Sequence, residues 1–457
     1  MPMSPVPEAG GRIHAMRSRI MVCSTLAVFY IAGIPGASLR AQQTRGTLPP
    51  GDAPPSVLRI TLEEAKQRAV GSNKLLTLAS MNVQGKGYAT RAMQSNYFPK
   101  VIGTAIYFRF DQPLGQVLTT RARPLLGVPP TAVDVNVLNR DSSWTTIAAV
   151  QPITDLLKVR QGVRLARADE QIAQTEYDKG LRELLSGVEQ LYWGFLAVQR
   201  IQAGAAQGVQ GAELLARTQL LEARIALVEA RQGLQEANRQ LAGIEEQLKN
   251  LLDIAPSTRL ELVEPPLPIL TLHDADEAIA LALASSPEIR AAELDIEKAH
   301  AALAAEKVEY LPNIVVMGGY LNQTAMSYVQ QDSNFVGVMG SYTFVDWGKR
   351  RNTIRERQNL IAMASLKLQQ TRDTVRQDAA KALRDLQDAA EALKMAQELA
   401  TVEREAAKKA ETPEAFKNPA PLIKASKDAG LAAVALVKAD LAYREAYVKL
   451  MALIGRQ

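Results

Sequence analysis

The residues best suited to chemistry in this chain are few, and their spacing argues against a reaction centre. Three histidines and one cysteine occur in 457 residues. His14 and Cys23 fall in the first 41 residues, a stretch expected to be removed on export, which leaves His273, His300 and no thiol. His273 beside Asp274 has the make-up of a proton relay or a metal pair. No third partner stands near in sequence, however, and the position opens a helix, where a solvated capping role is expected. Tyr192-Trp193 and Trp347 offer flat faces for stacking a ligand, but helix packing and an interfacial aromatic belt account for them as well. No Ser-His-Asp set or His/Cys cluster remains. Catalytic, cofactor and metal residues are therefore assigned to none, and the chain reads as a non-enzyme.

What positions these residues is a duplicated frame. Residues 64–107 align with 277–320 at an offset of 213, without gaps. Identical pairs include Ala65/Ala278, Ala69/Ala282, Ser72/Ser285, Tyr97/Tyr310, Pro99/Pro312 and Tyr107/Tyr320. Asp155-Leu-Leu-Lys158-Val-Arg160 then aligns with Asp346-Trp-Gly-Lys349-Arg-Arg351 at an offset of 191, so the first copy holds 22 more residues between its strands. Each copy reads as helix, Tyr-x-Pro break, strand, loop, strand and a very long helix, and such internal self-similarity governs the architecture.

The N-terminus reads as a secretory signal. Arg17 and Arg19 precede an apolar run from Ile20 to Ile34, Ala41-Gln42 is a plausible cleavage point, and Met16 is a candidate start. The run is shorter than the roughly 20 residues of a spanning helix. A mature chain without cysteine suits an oxidising compartment. The net charge of +5 is spread along helical stretches, so no concentrated basic face suggests nucleic acid. The expected organisation is a signal peptide at 1–41 and an extended segment at 42–60. The first repeat spans 61–252, a proline-rich linker 253–270, and the second repeat 271–457.

Thr61 and Glu64 form a capping box at the start of the first repeat, and Asp274 stands ahead of Glu277 in the same way in the second. Leu181, Leu184, Val188, Leu191, Phe195 and Val198 step by 3 and 4, as do Leu234, Ala237, Leu241, Ile244, Leu248 and Leu251. This spacing is that of closely packed coiled coils. About 60 residues of helix after position 347 would span roughly 90 Å, too long for a globular core.

Residues 101–110 and 314–322 alternate as strands, with returns at 144–153 and 335–344. Ile102, Thr104, Ile106, Phe108 and Phe110 are expected to face outward. Gly103, Ala105, Tyr107 and Arg109, with Val316, Gly318, Tyr320 and Asn322 in the second copy, are expected to face inward. Four strands cannot close a barrel, and lipid forbids the open edges, so three copies sharing 12 strands is the predicted solution. The loops at 111–143, with its Arg121 and Arg123, and at 323–334 are expected to face the cell exterior.

With these features in hand, the chain resembles the TolC-type outer-membrane factors over residues 57–455. The resemblance rests on the duplicated helix openings, on Tyr97-Phe-Pro99 and Tyr310-Leu-Pro312, and on Phe344-Val-Asp346-Trp-Gly348-Lys-Arg350. Tyr192-Trp193 and the ending Leu450-Met-Ala-Leu-Ile-Gly455 belong to it too. It implies a mixed α+β membrane protein, with a long coiled-coil helical tunnel and a four-stranded contribution to a shared 12-stranded barrel. The implied role is the exit duct of a tripartite efflux or type I secretion system. Implied partners are two further copies in a homotrimer, a periplasmic adaptor, an inner-membrane pump (proton-driven or ABC type) and outer-membrane lipid. Relatives usually turn their helix tips with glycine; here the second tip falls at Asn418, Pro419 and Pro421, and the first near residue 217. Where relatives place acids around the periplasmic aperture, this chain has Lys424 and Lys427, unless these are ordinary solvated lysines. An exported coiled-coil scaffold or adhesin without a pore is the rival reading, which leaves the duplicated strand pairs unexplained.

Overall fold

The computed structural model describes residues 57–119, 132–216, 221–268, 274–411 and 420–456. Arg121, Arg123, the first tip near residue 217, His273, Asn418 and Pro419 lie outside them. All described residues belong to one compact unit.

In chain order, β1 is Val57–Ile60, α1 Leu62–Ser72, α2 Lys74–Ser95, β2 Lys100–Arg109, β3 Leu114–Thr119, β4 Ala132–Leu138 and β5 Asp141–Pro152. Then come α3 Asp155–Ala216, α4 Leu221–Leu251, β6 Arg259–Leu262, α5 Ala275–Ser285 and α6 Pro287–Lys307. β7 Asn313–Gln323, β8 Asp332–Ser341, α7 Lys349–Ala410 and α8 Ala420–Ile454 complete the fold.

The opening helix of each repeat is in fact two helices. The break falls at Asn73 in the first copy and at Ser286 in the second, positions related by the 213-residue offset. Each of these side chains caps the helix that follows, accepting from the N–H of Leu76 and of Ile289. Thr61 and Glu64 form the expected reciprocal box. Asp274 also caps, but it accepts from Asp276 two residues on, and no box closes through Glu277. Ala65, Ala69, Ala278 and Ala282 are all fully buried, so these two of the identities between copies mark tight helix contacts.

The 22 additional residues of the first copy are explained by a hairpin. β3 and β4 pair antiparallel inside the expected loop, as a sheet of their own. The main sheet runs β2-β5-β7-β8, antiparallel throughout, so the β5–β7 pairing joins the two repeats.

Register brings the nominated faces of both copies onto common sides, since Gly103 pairs with Ile147, Ile147 with Tyr320 and Tyr320 with Asn334. In the single chain the two faces differ in exposure along β5, β7 and β8, while β2 is exposed on both. Ile147, Val336 and Val338, which share the face of Gly103 and Tyr107, are exposed, whereas Ser142, Val315 and Gln323 on the opposite face are buried. Alternation separates two faces but carries no information about curvature. The open face carries small and branched apolar groups, among them Val101, Ala105, Ile147, Ala149, Val316, Val336 and Val338, while the larger apolar and aromatic groups Ile102, Phe108, Trp144, Leu321 and Phe335 lie on the other. Its polar groups, Tyr107 with Asp141 and Tyr320 with Asp332, gather at the end away from the helices.

α3 and α7 each run 62 residues, about 93 Å at 1.5 Å per residue. Two cores line the bundle. One gathers Val188, Tyr192, Phe195, Leu248 and Leu252; the other gathers Ala379, Leu383, Leu386, Leu450 and Met451. Between repeats, the stretches expected to be extended segment and linker contribute a parallel strand pair, β1 with β6. The buried Tyr192 hydroxyl donates to the carbonyls of Ile60 and Val263, fastening that pair to α3. Burial pushes this phenol up to about 12, partly opposed by the Val263 bond.

Candidate functional site

The lower ends of α3, α4, α7 and α8 form the candidate site. α8 opens at Ala420, so Pro421 sits in its first turn, where a missing N–H has no helical partner to lose. Lys424 and Lys427 follow one turn on, and both are exposed. Residues three apart share a helix face, so the two ammonium groups address the same surroundings.

Lys427 has a partner that spacing in the sequence did not suggest. Its Nζ lies 2.8 Å from Glu229 Oε2 on α4, 198 residues away. The Glu229 hydrogen bond, followed by its charge, holds the Lys427 ammonium above its ordinary range. This bond ties the helix pair of the second repeat to that of the first near their ends. Apolar side chains stand open close by: Leu221, Ile225 and Val228 at i, i+4 and i+7 of α4, and Met395, Leu399 and Val402 on α7 with the same spacing. Each set forms a seam of coiled-coil type without a partner among the described residues.

Higher up, a charged cluster fixes where α8 crosses α3. Arg444 is buried, its Cζ stands 4.0 Å from the Trp193 ring centre, and its Nε donates to Asp440 at 3.1 Å. Arg200 on α3 reaches Asp440 at 2.9 Å and also Glu264 in the linker. Tyr443 adds a bond to the Pro268 carbonyl. The i, i+4 spacing of Asp440 and Arg444 is legible in the sequence; Arg200, Glu264 and Trp193 reach them only through the fold. Beside this cluster runs an open groove of about 560 Å³, lined by Leu184, Gly187, Leu191 and Gly194 of α3, Ile244 of α4 and Glu445 of α8. Burial raises the Glu445 carboxyl. Nothing in the groove pairs a nucleophile with a base.

At the other end of the long helices, Trp347 and Gly348 both have positive φ, 55° and 85°. The Asp346 carboxylate accepts from the N–H groups of Gly348 and Arg350, closing this turn and starting α7. The turn leaves Trp347 94% exposed, unlike Tyr192 and Trp193, which are core. Among the described residues no group of His, Cys, Asp and Glu is placed to hold a metal ion, and no helix is long and apolar enough to cross a membrane.

Residues 278–456 match the family model described as outer membrane efflux protein. No curated protein matches the chain. Among solved structures, a membrane protein from Pseudomonas aeruginosa superposes with a TM-score of 0.69 at 18% identity, over 86% of this chain and 93% of that one. The open-state MtrE outer membrane channel of Neisseria gonorrhoeae gives 0.66 at 17%, over 86% and 88%. The outer membrane protein VceC of Vibrio cholerae gives 0.69 at 13%, over 86% and 96%. The fold is thus that of outer-membrane channels with a helical tunnel.

Proposed function

We propose that this chain, whose residues 278–456 match the outer membrane efflux protein model, belongs to that family and is the outer-membrane exit duct of a tripartite efflux or type I secretion system. In this reading it is a passive channel, and substrates reach it from an inner-membrane pump through a periplasmic adaptor. The observation that carries the reading is a four-stranded sheet whose edges, β2 and β8, are unpaired among the described residues, set on helices about 93 Å long.

An even number of antiparallel strands leaves β2 and β8 running in opposite directions. The β8 edge of one copy can therefore extend its ladder onto β2 of the next in the antiparallel sense. Three copies give a closed barrel of 12 strands, and closure removes edges that hydrocarbon cannot satisfy. The open apolar face then meets lipid, and Tyr107 and Tyr320 mark its outer boundary. The solubilised protein is expected to have the mass of a trimer in detergent and to conduct ions in planar bilayers. A stable monomer or dimer, or a silent trimer, would contradict this reading.

Lys424 and Lys427 are the residues proposed to line the periplasmic aperture. Threefold symmetry would place six ammonium groups there, of which the three Lys427 are balanced by Glu229. A constricted opening with this surplus of positive charge attracts anions. The reconstituted channel is therefore expected to prefer anions weakly, with the preference fading at high salt. Glu229→Gln should strengthen it, and Lys424→Glu with Lys427→Glu should reverse it. Reversal potentials that do not move in either variant would return both lysines to the ordinary surface.

A further inference from the structure

The two helices that leave the sheet carry the same exposed cations. α3 has Arg160 and Arg164 in its first turns, and α7 has Arg351 and Arg355 at positions related by the 191-residue offset. All four are exposed. Repetition of buried alanines between the copies follows from packing, but packing does not explain repetition of exposed arginines. Each pair is spaced i, i+4, so two like charges share one helix face and repel. Several nearby carboxylates are engaged elsewhere: Asp155 and Glu309 by Lys158, Asp346 by the α7 turn and Arg350, and Glu306 by Arg357. Glu356, beside Arg355 in sequence, is exposed and offsets part of that charge.

Immediately above stands a band of exposed apolar groups. Trp347 and Phe344 are 94% and 89% exposed, and Ile153 and Leu157 are exposed at the matching start of α3. Leu157, Arg160 and Arg164 lie at i, i+3 and i+7, on one side of α3. Arg160 and Arg164 follow the first residue of α3 by about 8 and 14 Å along its axis, and Arg351 and Arg355 follow that of α7 by about 3 and 9 Å. A bilayer whose hydrocarbon ends at the sheet has a headgroup layer of roughly 6 Å on each side. Side chains lean back toward the start of a helix, so the long stems of Arg160, Arg351 and Arg355 reach this layer and that of Arg164 comes to its lower margin.

We propose that Arg160, Arg164, Arg351 and Arg355 form a collar that binds anionic phospholipid headgroups in the leaflet facing the helices, below an aromatic belt that includes Trp347 and Phe344. The proposal rests on the shared-barrel reading. A guanidinium fork matches a phosphate with two parallel hydrogen bonds, which a zwitterionic headgroup answers with a compensating cation of its own. Three copies would present twelve guanidinium groups around the barrel.

Trp347 is a built-in reporter. The trimer would be reconstituted in mixed vesicles of phosphatidylcholine and phosphatidylglycerol, with one or the other carrying brominated acyl chains that quench indole fluorescence. Subtracting the signal of Trp347→Phe isolates the collar. At 0.1 M salt, brominated phosphatidylglycerol is expected to associate about fivefold more strongly than brominated phosphatidylcholine. At 1 M salt the ratio should fall towards one. A trimer carrying R160Q, R164Q, R351Q and R355Q should show a ratio near one at both salt concentrations. Equal quenching at 0.1 M salt, or a preference that the four substitutions leave intact, would overturn the collar; the salt arm needs no variant. Quenching of Trp347 by neither lipid would instead remove the barrel reading, and the collar with it.

Discussion

Gly319→Val is expected to abolish assembly of the membrane-inserted trimer. A Cβ at this position would stand 2.2 Å from the Ile147 carbonyl oxygen and 2.7 Å from Ala148 Cα. Both are backbone atoms of β5, so no side chain can turn aside to make room. β5 and β7 would have to separate, and their pairing is the only ladder joining the strands of the two repeats in the main sheet of the described residues. What remains is two hairpins, each marginal alone. Heat-modifiable trimer on refolding into detergent is expected to fall to less than about a tenth of the unsubstituted yield, consistent with a loss of at least 1.4 kcal/mol. Gly318→Ala on the same strand and Gly71→Ala in α1 serve as controls, because an added Cβ makes ordinary contacts of 3.4 and 3.6 Å at the first and meets nothing within 4 Å at the second. Assembly of Gly319→Val at the level of the controls would show that β5 and β7 tolerate separation.

The second large effect is expected at Arg444. Its guanidinium lies on the Trp193 face, donates to Asp440 and lies 3.8 Å from Glu264, with almost no solvent access. Arg444→Ala removes a buried cation, leaves Asp440 and Glu264 to Arg200 alone, and opens a void against the indole. Breaking a buried ion pair from one side typically costs about 3–5 kcal/mol. The midpoint of thermal unfolding, followed through the helical signal of the trimer, should fall accordingly. Arg444→Met keeps the stem over the ring and should lose less, since one guanidinium nitrogen, Nη1, has no hydrogen-bond partner among the described residues. Arg444→Lys should not restore stability, because a point charge reproduces neither the fork nor the stacking. A midpoint unchanged by Arg444→Ala would mean that Arg200 holds the crossing by itself.

Both effects arise at contacts between repeats, and this is where the sequence was least informative. The duplication, the Tyr-x-Pro breaks and the 3-4 spacing along α3, α4 and α7 are local patterns, and they determined the order of the elements and the length of the helices. The capping box at Thr61 was equally legible, because cap and partner lie three residues apart. The break at Asn73 and Ser286 was missed although each residue is a good cap, since the apolar pattern continues through it. The β3–β4 hairpin was missed because its prolines and short strands read as loop.

Only the tertiary structure decided which face of the sheet is open. Alternation has a period of two whichever way a sheet curves, and curvature depends on the strands paired on either side. Only the tertiary structure, too, brought Glu229 to Lys427 and Arg200 to Asp440, contacts 198 and 240 residues apart. Read alone, the sequence predicts a duplicated, exported chain whose four strands need further strands for closure in lipid, and it determined the helix-rich character that the structure shows. Which charges meet across the bundle, and hence which lysine remains unpaired at the candidate aperture, follows from the packing of the two repeats, because ion pairing depends on distance in space and leaves no periodic trace along the chain.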